Sequence, residues 1–331
     1  MQSMFSRRRF IGISAAAAGL SIIPFGLRAR ADANLVTWRG SMLGAVSTMR
    51  IHHADAAQAE RLIAAACAEA RRLERLFSLF LEDSALVELN RTGVLVNPAA
   101  ELVDLMQISL HYAEQTNGAF DPTVQPLWNV YADHFRRPNA HPNGPPRAAV
   151  QAALAHVDYR RLEVSRDRIA MPRGSSVTLN GIAQGYVTDR IVALLRSHGI
   201  VRSLVDMGEA RAIGSRPDGQ PWEVGIADPD LVGRTIATIP IVDRAVSTSG
   251  SYGFRFDPQG RFNHLLDPLS GGCAQRYRSV TTVAANATAA DAMSTAFSLI
   301  PEPQIRALLA PTQIELVHII DAQGSTLELA A

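Results

Sequence analysis

A β-branched run, Ser279-Val-Thr-Thr-Val283, passes directly into Asn286-Ala-Thr-Ala-Ala-Asp291-Ala-Met-Ser-Thr295-Ala. The first piece reads as a strand. The second reads as the opening turns of a helix built mostly from small residues and stopped by Pro301. Asp291 and Thr295 are four apart, so their side chains leave one helical face. A carboxylate beside a hydroxyl is a pair of hard oxygen donors of the kind Mg²⁺ takes. The same spacing also fits an Asp that complements the helix dipole and a Thr bonded back to the carbonyl four residues earlier.

The rest of the chain mixes hairpins with helices. Leu35 to Arg39 and Val46 to His52 read as strands around Gly40 to Gly44. A helix from about Ala56 to Leu81 carries Leu62, Ile63, Ala66, Leu73, Leu76, Phe77 and Phe80 on a helical period, with Asp55 as its N-cap. Asp83 to Gly93 reads as a short helix ended by glycine, and Pro98 opens another that Asn117-Gly118 closes. Gly118-Ala-Phe-Asp121-Pro-Thr-Val-Gln-Pro-Leu-Trp128 reads as a structured loop that its two prolines hold extended. Residues 139–146 have linker composition, which fits a flexible surface loop or a soft subdivision. Arg168 to Met171 and Ser176 to Leu179 read as a hairpin, and Val246 to Tyr252 as a hydroxyl-rich turn. Gly181 and Gly185 open a helix and let a backbone approach a ligand closely, although a tight turn alone also needs glycine. Ile314 to Ile320 and Thr326 to Leu329 add terminal strands. Because hairpins and helices do not strictly alternate, the expected class is α+β with largely antiparallel sheet.

Composition narrows the functional classes. The apolar fraction is 47% and the charged fraction 19%, which is globular rather than disordered. Net charge is +1, which leaves nucleic acid without an electrostatic footprint. Cys67 and Cys273 form no zinc array. Ser6-Arg7-Arg8-Arg9-Phe10, the uncharged stretch Ile11 to Leu27 and Ala29-Arg30-Ala31 have the order of an export leader with its cleavage site. The arginines before Phe10 give it a twin-arginine character. Residues 1–31 are therefore expected to be a signal peptide, residues 32–331 the working domain and the periplasm its location. Five of the 32 basic residues lie in that leader, so the remainder carries 27 basic against 31 acidic residues, a net charge of −4.

One set of segments, in this order, resembles a known family. It comprises Asn90-Arg-Thr-Gly93, Gly118 to Trp128, Gly181-Ile-Ala-Gln-Gly-Tyr186 with Asp189, and Trp222-Glu-Val-Gly-Ile226 with Pro229. It continues with Thr248-Ser-Gly-Ser-Tyr252, His264-Leu-Leu-Asp-Pro268 with Gly271, Ser279 to Val283 and Ala290-Asp-Ala-Met-Ser-Thr295. The set resembles the ApbE family of FAD:protein FMN transferases from about residue 40 to 300. The resemblance implies a T-fold-related α+β architecture and a periplasmic or membrane-anchored enzyme that binds FAD. With Mg²⁺, such an enzyme joins the FMN half through its phosphate to a Thr or Ser hydroxyl of an acceptor protein and releases AMP.

The resemblance places the metal on Asp291, Thr295 and the carbonyl at Gly181. It places flavin contacts on Leu43, Ala119, Phe120, Asp121, Thr178, Gln184 and Leu265. His264 or Asp267 is the candidate proton acceptor for the nucleophile. Family acceptors include subunits of flavin-bearing respiratory and redox complexes, and the twin-arginine leader resembles the branch serving nitrous-oxide respiration. Gln184 stands where many members have Lys, Phe80 where Tyr is common, Leu43 where Met is frequent, and Glu209 in place of the second Gly of a Gly-Gly pair. Two other readings use the same residues. With water as nucleophile the site is a metal-dependent FAD pyrophosphatase giving FMN and AMP. A non-catalytic flavin carrier has no need of Asp291 and Thr295.

Overall fold

A computed structural model describes residues 20–21, 34–231 and 233–331. The expected leader lies outside these apart from Leu20–Ser21. In chain order the strands are β1 (Leu20–Ser21), β2 (Leu35–Met42), β3 (Ala45–His52), β4 (Val94–Val96), β5 (Glu163–Val164), β6 (Arg168–Ala170) and β7 (Ser203–Asp206). They continue as β8 (Ala210–Ile213), β9 (Trp222–Ala227), β10 (Thr235–Ile241), β11 (Ala245–Gly250), β12 (Tyr277–Ala284), β13 (Ile314–Asp321) and β14 (Thr326–Ala330). The helices are α1 (Ala56–Phe77), α2 (Ala85–Thr92), α3 (Ala100–Gln115), α4 (Gln125–Phe135), α5 (Arg147–Leu154), α6 (Ala183–Ser197), α7 (Ala287–Phe297) and α8 (Glu302–Thr312). None of them is long and apolar enough to cross a membrane.

Eight strands form one sheet in the order β14-β13-β12-β11-β8-β7-β3-β2, and every pairing among the described residues is antiparallel. The α+β expectation holds, and the alternation of side chains explains why. Met49, Val205, Ala245, Val280 and Ile319 point to one face, where α1, α6 and α7 complete the main core. Leu204, Ala210, Val246 and Val283 point to the other, where the β9–β10 hairpin covers them with Trp222, Val224 and Ile239. A third apolar cluster of Leu127, Tyr131, Phe256, Phe262 and Leu266 joins α4 to the loop after β11.

Most helix ends match their sequence signals. Asp55 accepts from Gln58 N at 3.0 Å, and Ser84 from Val87 N at 3.1 Å. Gly93 closes α2 with φ 76°, a left-handed conformation that glycine adopts without a Cβ penalty. Three expectations fail. Pro126 does not extend its segment but sits in the first turn of α4, where its missing N–H costs nothing. In α8, Pro303 likewise lies in a first turn. Val246 to Tyr252 is mostly the buried strand β11, its hydroxyls bonded to α7 and β12.

The third failure is the hairpin of Ser176 to Leu179. β6 pairs instead with β4 and β5, and Ser176 to Leu179 forms no strand. The Asn90 amide takes the place of a strand neighbour. Its Nδ2 donates to Val177 O at 2.8 Å, and its Oδ1 accepts from Val177 N at 2.7 Å. Asn90→Ala should therefore orphan both backbone groups of a residue with no exposed surface. The expected cost is about 2–4 kcal/mol, read as a lower denaturation midpoint with the slope unchanged. A loss below about 0.5 kcal/mol would show that water replaces the clamp.

Residues 139–146 do not hang free. Pro142 O accepts from Arg261 and His141 O lies 2.9 Å from His134 Nε2, which ties the segment to the aromatic cluster.

Candidate functional site

The site is built on the crossing of α6 and α7. Gly181 lies against Thr295, Gly185 against Asp291, and Asp189 against Ala287, so the two helices run antiparallel. Each caps the other. Asp291 of α7 accepts from Gly185 N at 2.9 Å, in the first turn of α6. Asp189 of α6 accepts from Ala287 N and Thr288 N at 2.8 Å each, in the first turn of α7. Both carboxylates thus meet N–H groups that lack partners within their own helix and face the positive end of its dipole. Arg211 pairs with Asp189 at 2.5 Å.

The glycines and small residues make this crossing close. A Cβ on Gly185 would lie 2.3 Å from Ala287 O, and one on Gly181 would lie 3.0 Å from Thr295 Oγ1. Gly185 therefore serves helix packing, while Gly181 opens beside the hydroxyl. Thr295 does not bond back along its own helix. Its hydroxyl lies 3.3 Å from Ser249 Oγ, and Ser294 takes the local bond, to Asp291 O at 3.0 Å. Ser294 also meets Ser247 at 3.0 Å and Ser249 at 2.7 Å, which fixes α7 on β11.

Asp291 is 4% exposed. Burial pushes its carboxyl up to about 7; the Gly185 amide opposes this and the Asp189 charge adds to it. Nearby Asp206 is pushed up to about 6 by burial, and Glu209 is raised by burial, Asp291 and Asp206. A concentration of buried carboxylates with so little cationic compensation fits a bound cation. Among the described residues no three His, Cys, Asp or Glu side chains converge as metal ligands. The donors at hand are one carboxylate, one hydroxyl and backbone oxygen, a sparse hard-oxygen set that suits Mg²⁺, which keeps several waters or substrate oxygens.

The expected flavin contacts divide into groups. Ala119, Phe120 and Asp121 are buried in the loop between α3 and α4. The Phe120 ring reaches within 3.5 Å of a Cβ position on Gly181. Both Asp121 oxygens are used internally, by Thr123 N and Oγ1 at 2.7 and 2.6 Å and by Tyr159 N at 3.1 Å. Asp121 thus shapes the loop that presents Phe120. Thr178 N donates to Pro122 O at 2.8 Å, which joins this loop to the start of α6. Gln184 is buried with its amide against Gly208. Leu43 caps the β2–β3 hairpin at φ 49°, followed by Gly44 at 74°. A leucine held in the left-handed region is strained by about 1 kcal/mol or more, as residues at ligand clamps often are.

His264, Leu265 and Asp267 lie on the loop after β11. The structure brings that loop to the Phe120 segment, since Leu269 lies near Gly118 and Tyr131 OH donates to Gly271 O at 2.8 Å. No hydrogen bond links His264 or Asp267 to Asp291 or Thr295 among the described residues. Asp267 accepts from Leu269 N at 2.9 Å and Ser270 Oγ at 2.5 Å, bonds internal to its turn. It also lines a cavity of about 350 Å³ with Cys273, Arg276 and Ser298, just beyond the last turn of α7. His264 keeps part of its surface at the solvent, yet the protein around its ring lowers the imidazole to about 4, so it is neutral near pH 7. Leu265 is buried, and its carbonyl accepts from Ala274 N at 2.7 Å. Sequence reasoning named Asp189 without its role and missed Asp206 and the Asn90 clamp. Asp189 and Asn90 act across elements, which no local pattern encodes, whereas Asp206 accepts from Gly208 N at 2.9 Å within its own turn.

Comparisons with known proteins converge. A family model described as "ApbE family" matches residues 43–318. A protein of Klebsiella pneumoniae named "FAD:protein FMN transferase" is 33% identical over 270 residues, which cover 78% of this chain and 74% of its own. One of Treponema pallidum with the same name is 32% identical over 67% of each chain. The crystal structure of the ApbE protein from Thermotoga maritima superposes with a TM-score of 0.78 at 27% identity, covering 88% of this chain and 96% of that one. The flavin transferase ApbE from Vibrio cholerae superposes with a TM-score of 0.75 at 25% identity, covering 90% and 97%.

Proposed function

This chain belongs to the ApbE family, and from that premise we propose that it is an FAD:protein FMN transferase working with Mg²⁺. It moves the FMN half of FAD, through its phosphate, onto a Thr or Ser hydroxyl of an acceptor protein and releases AMP. The observation that carries the reading is the crossing of α6 and α7, which sets Asp291, Thr295 and the Gly181 backbone together beside Phe120.

Asp291, Thr295 and the Gly181 carbonyl would hold the cation. When bound, it neutralises charge that builds on the pyrophosphate oxygens. The chain's own groups do the rest. The first turn of α6 presents backbone amides and a positive dipole end to the phosphates. Phe120 and Leu43 supply apolar surface for the isoalloxazine ring, and Asp121 holds the Phe120 loop in place. His264, neutral at working pH, accepts the proton of the acceptor hydroxyl at Nε2 in the tautomer whose Nδ1–H faces Phe254 O; Nδ1 lies 3.3 Å from both Phe254 O and Phe254 N. Asp267, with both oxygens occupied, orders the loop that carries His264. The acceptor is a flavin-bearing subunit of a respiratory or redox complex. The leader-like order of residues 1–31 supports a periplasmic site for the reaction.

The test is to incubate the chain with FAD, Mg²⁺ and an acceptor domain carrying Asp-x-x-Thr/Ser-Gly-Ala-Thr, then weigh the acceptor. An added FMN-phosphoryl mass that disappears with EDTA is expected. Free FMN and AMP beside an unmodified acceptor would overturn transfer in favour of hydrolysis. Bound, intact FAD would leave a carrier.

A further inference from the structure

Glu209 sits in the turn from β7 to β8 and is 2% exposed. Its Oε2 has no hydrogen-bond partner. The Ser247 hydroxyl and the Thr248 amide support its charged form. Ser247 also meets Ser294, which lies between Asp291 and Thr295 in sequence. Glu209 therefore stands behind the Asp291–Thr295 pair, on the sheet side of α7. Asp291 and Asp206 both repel it. Arg211 is committed to Asp189, and Gln184, whose amide lies against neighbouring Gly208, is neutral. A buried carboxylate that faces other carboxylates without a cation is costly. A divalent ion at Asp291 reverses the sign of that interaction, because its two positive charges outweigh the single negative charge beside them.

We propose that Glu209 is an outer carboxylate of the cation site: it does not ligate, but its field raises the affinity for Mg²⁺. The absence of three converging acidic, His or Cys ligands among the described residues keeps it outside the ligand set. The proposal rests on the reading of Asp291, Thr295 and Gly181 as that site. It assigns a use to the one buried carboxylate oxygen there that the fold leaves unpaired.

The experiment is a calorimetric titration of Mg²⁺ into the chelator-treated full chain, with thermal melts of the same samples. Glu209→Gln keeps the shape and removes the charge, so Mg²⁺ should bind about tenfold more weakly. Glu209→Asp keeps the charge and should stay within about threefold of the parent. Without metal, Glu209→Gln should melt at or above the parent, since burial, Asp291 and Asp206 all oppose a charged form that Gln does not have. The proposal is overturned if Glu209→Gln binds Mg²⁺ as tightly as the parent. It is also overturned if both variants lose affinity equally and melt lower without metal, because shape rather than charge would then matter. Mg²⁺ binding by Asp291→Asn that matches the parent would instead remove the cation-site reading itself, and this proposal with it.

Discussion

Asp291→Asn should abolish Mg²⁺ binding and lower FMN transfer by on the order of a thousandfold or more, while the protein stays folded. The amide is nearly the same size as the carboxylate, and its oxygen still accepts from Gly185 N, so the cap on α6 survives. What goes is the negative charge, the strongest hard-oxygen donor at the helix crossing. Asp291→Ala removes cap and charge together and should lose transfer equally. Comparing the two separates structure from chemistry. If both are inactive but only Ala melts lower, the cap contributes stability and the charge contributes catalysis. The measurement is the mass of the acceptor after timed incubation with FAD. Transfer by Asp291→Asn at more than about a tenth of the parental rate, at millimolar Mg²⁺, would sink the metal assignment and with it most of the mechanism.

The parts of this site that could be read from sequence are those that depend on local periodicity. The Asp291–Thr295 pair follows from the helical repeat, and the cap residues Asp55, Ser84 and Asn286 follow from local hydrogen-bonding chemistry. The failures are all tertiary. Ser176 to Leu179 has hairpin composition, but its backbone partner is a side chain 87 residues away, which no local pattern encodes. The Val246 to Tyr252 hydroxyls look like turn chemistry because Ser and Thr bond local backbone in turns. Here they face α7 and β12, which satisfy them, and the run becomes a central strand. Pro126 reads as holding its segment extended, although a first helical turn tolerates proline. The family resemblance supplied the order of the motifs. The reciprocal capping of α6 and α7 appears only when the two helices are laid side by side.

That crossing also reverses a rule of helix propensity. Gly185 lies inside α6, where Ala is ordinarily favoured over Gly by about 1 kcal/mol. The structure predicts the opposite sign. A Cβ at this position would fall 2.3 Å from Ala287 O, 2.7 Å from Ala287 C and 2.8 Å from Asp291 Cβ. The first two are backbone atoms of a helix pinned to the sheet by Thr282, whose hydroxyl donates to Ala290 O at 2.7 Å. They cannot turn aside as a flexible side chain would. Gly185→Ala must therefore push α6 and α7 apart, weaken the Gly185–Asp291 hydrogen bond and widen the gap between Gly181 and Thr295. Overpacking and a strained buried bond together should cost about 2–4 kcal/mol, which for a chain of this size lowers the melting temperature by roughly 3–6 °C. Mg²⁺ affinity should fall as well, because the same displacement separates the proposed ligands. A melt of the variant without metal, followed by a Mg²⁺ titration, checks both. If Gly185→Ala melts higher than the parent, helix propensity outweighs packing and the two helices do not meet as closely as their reciprocal caps require.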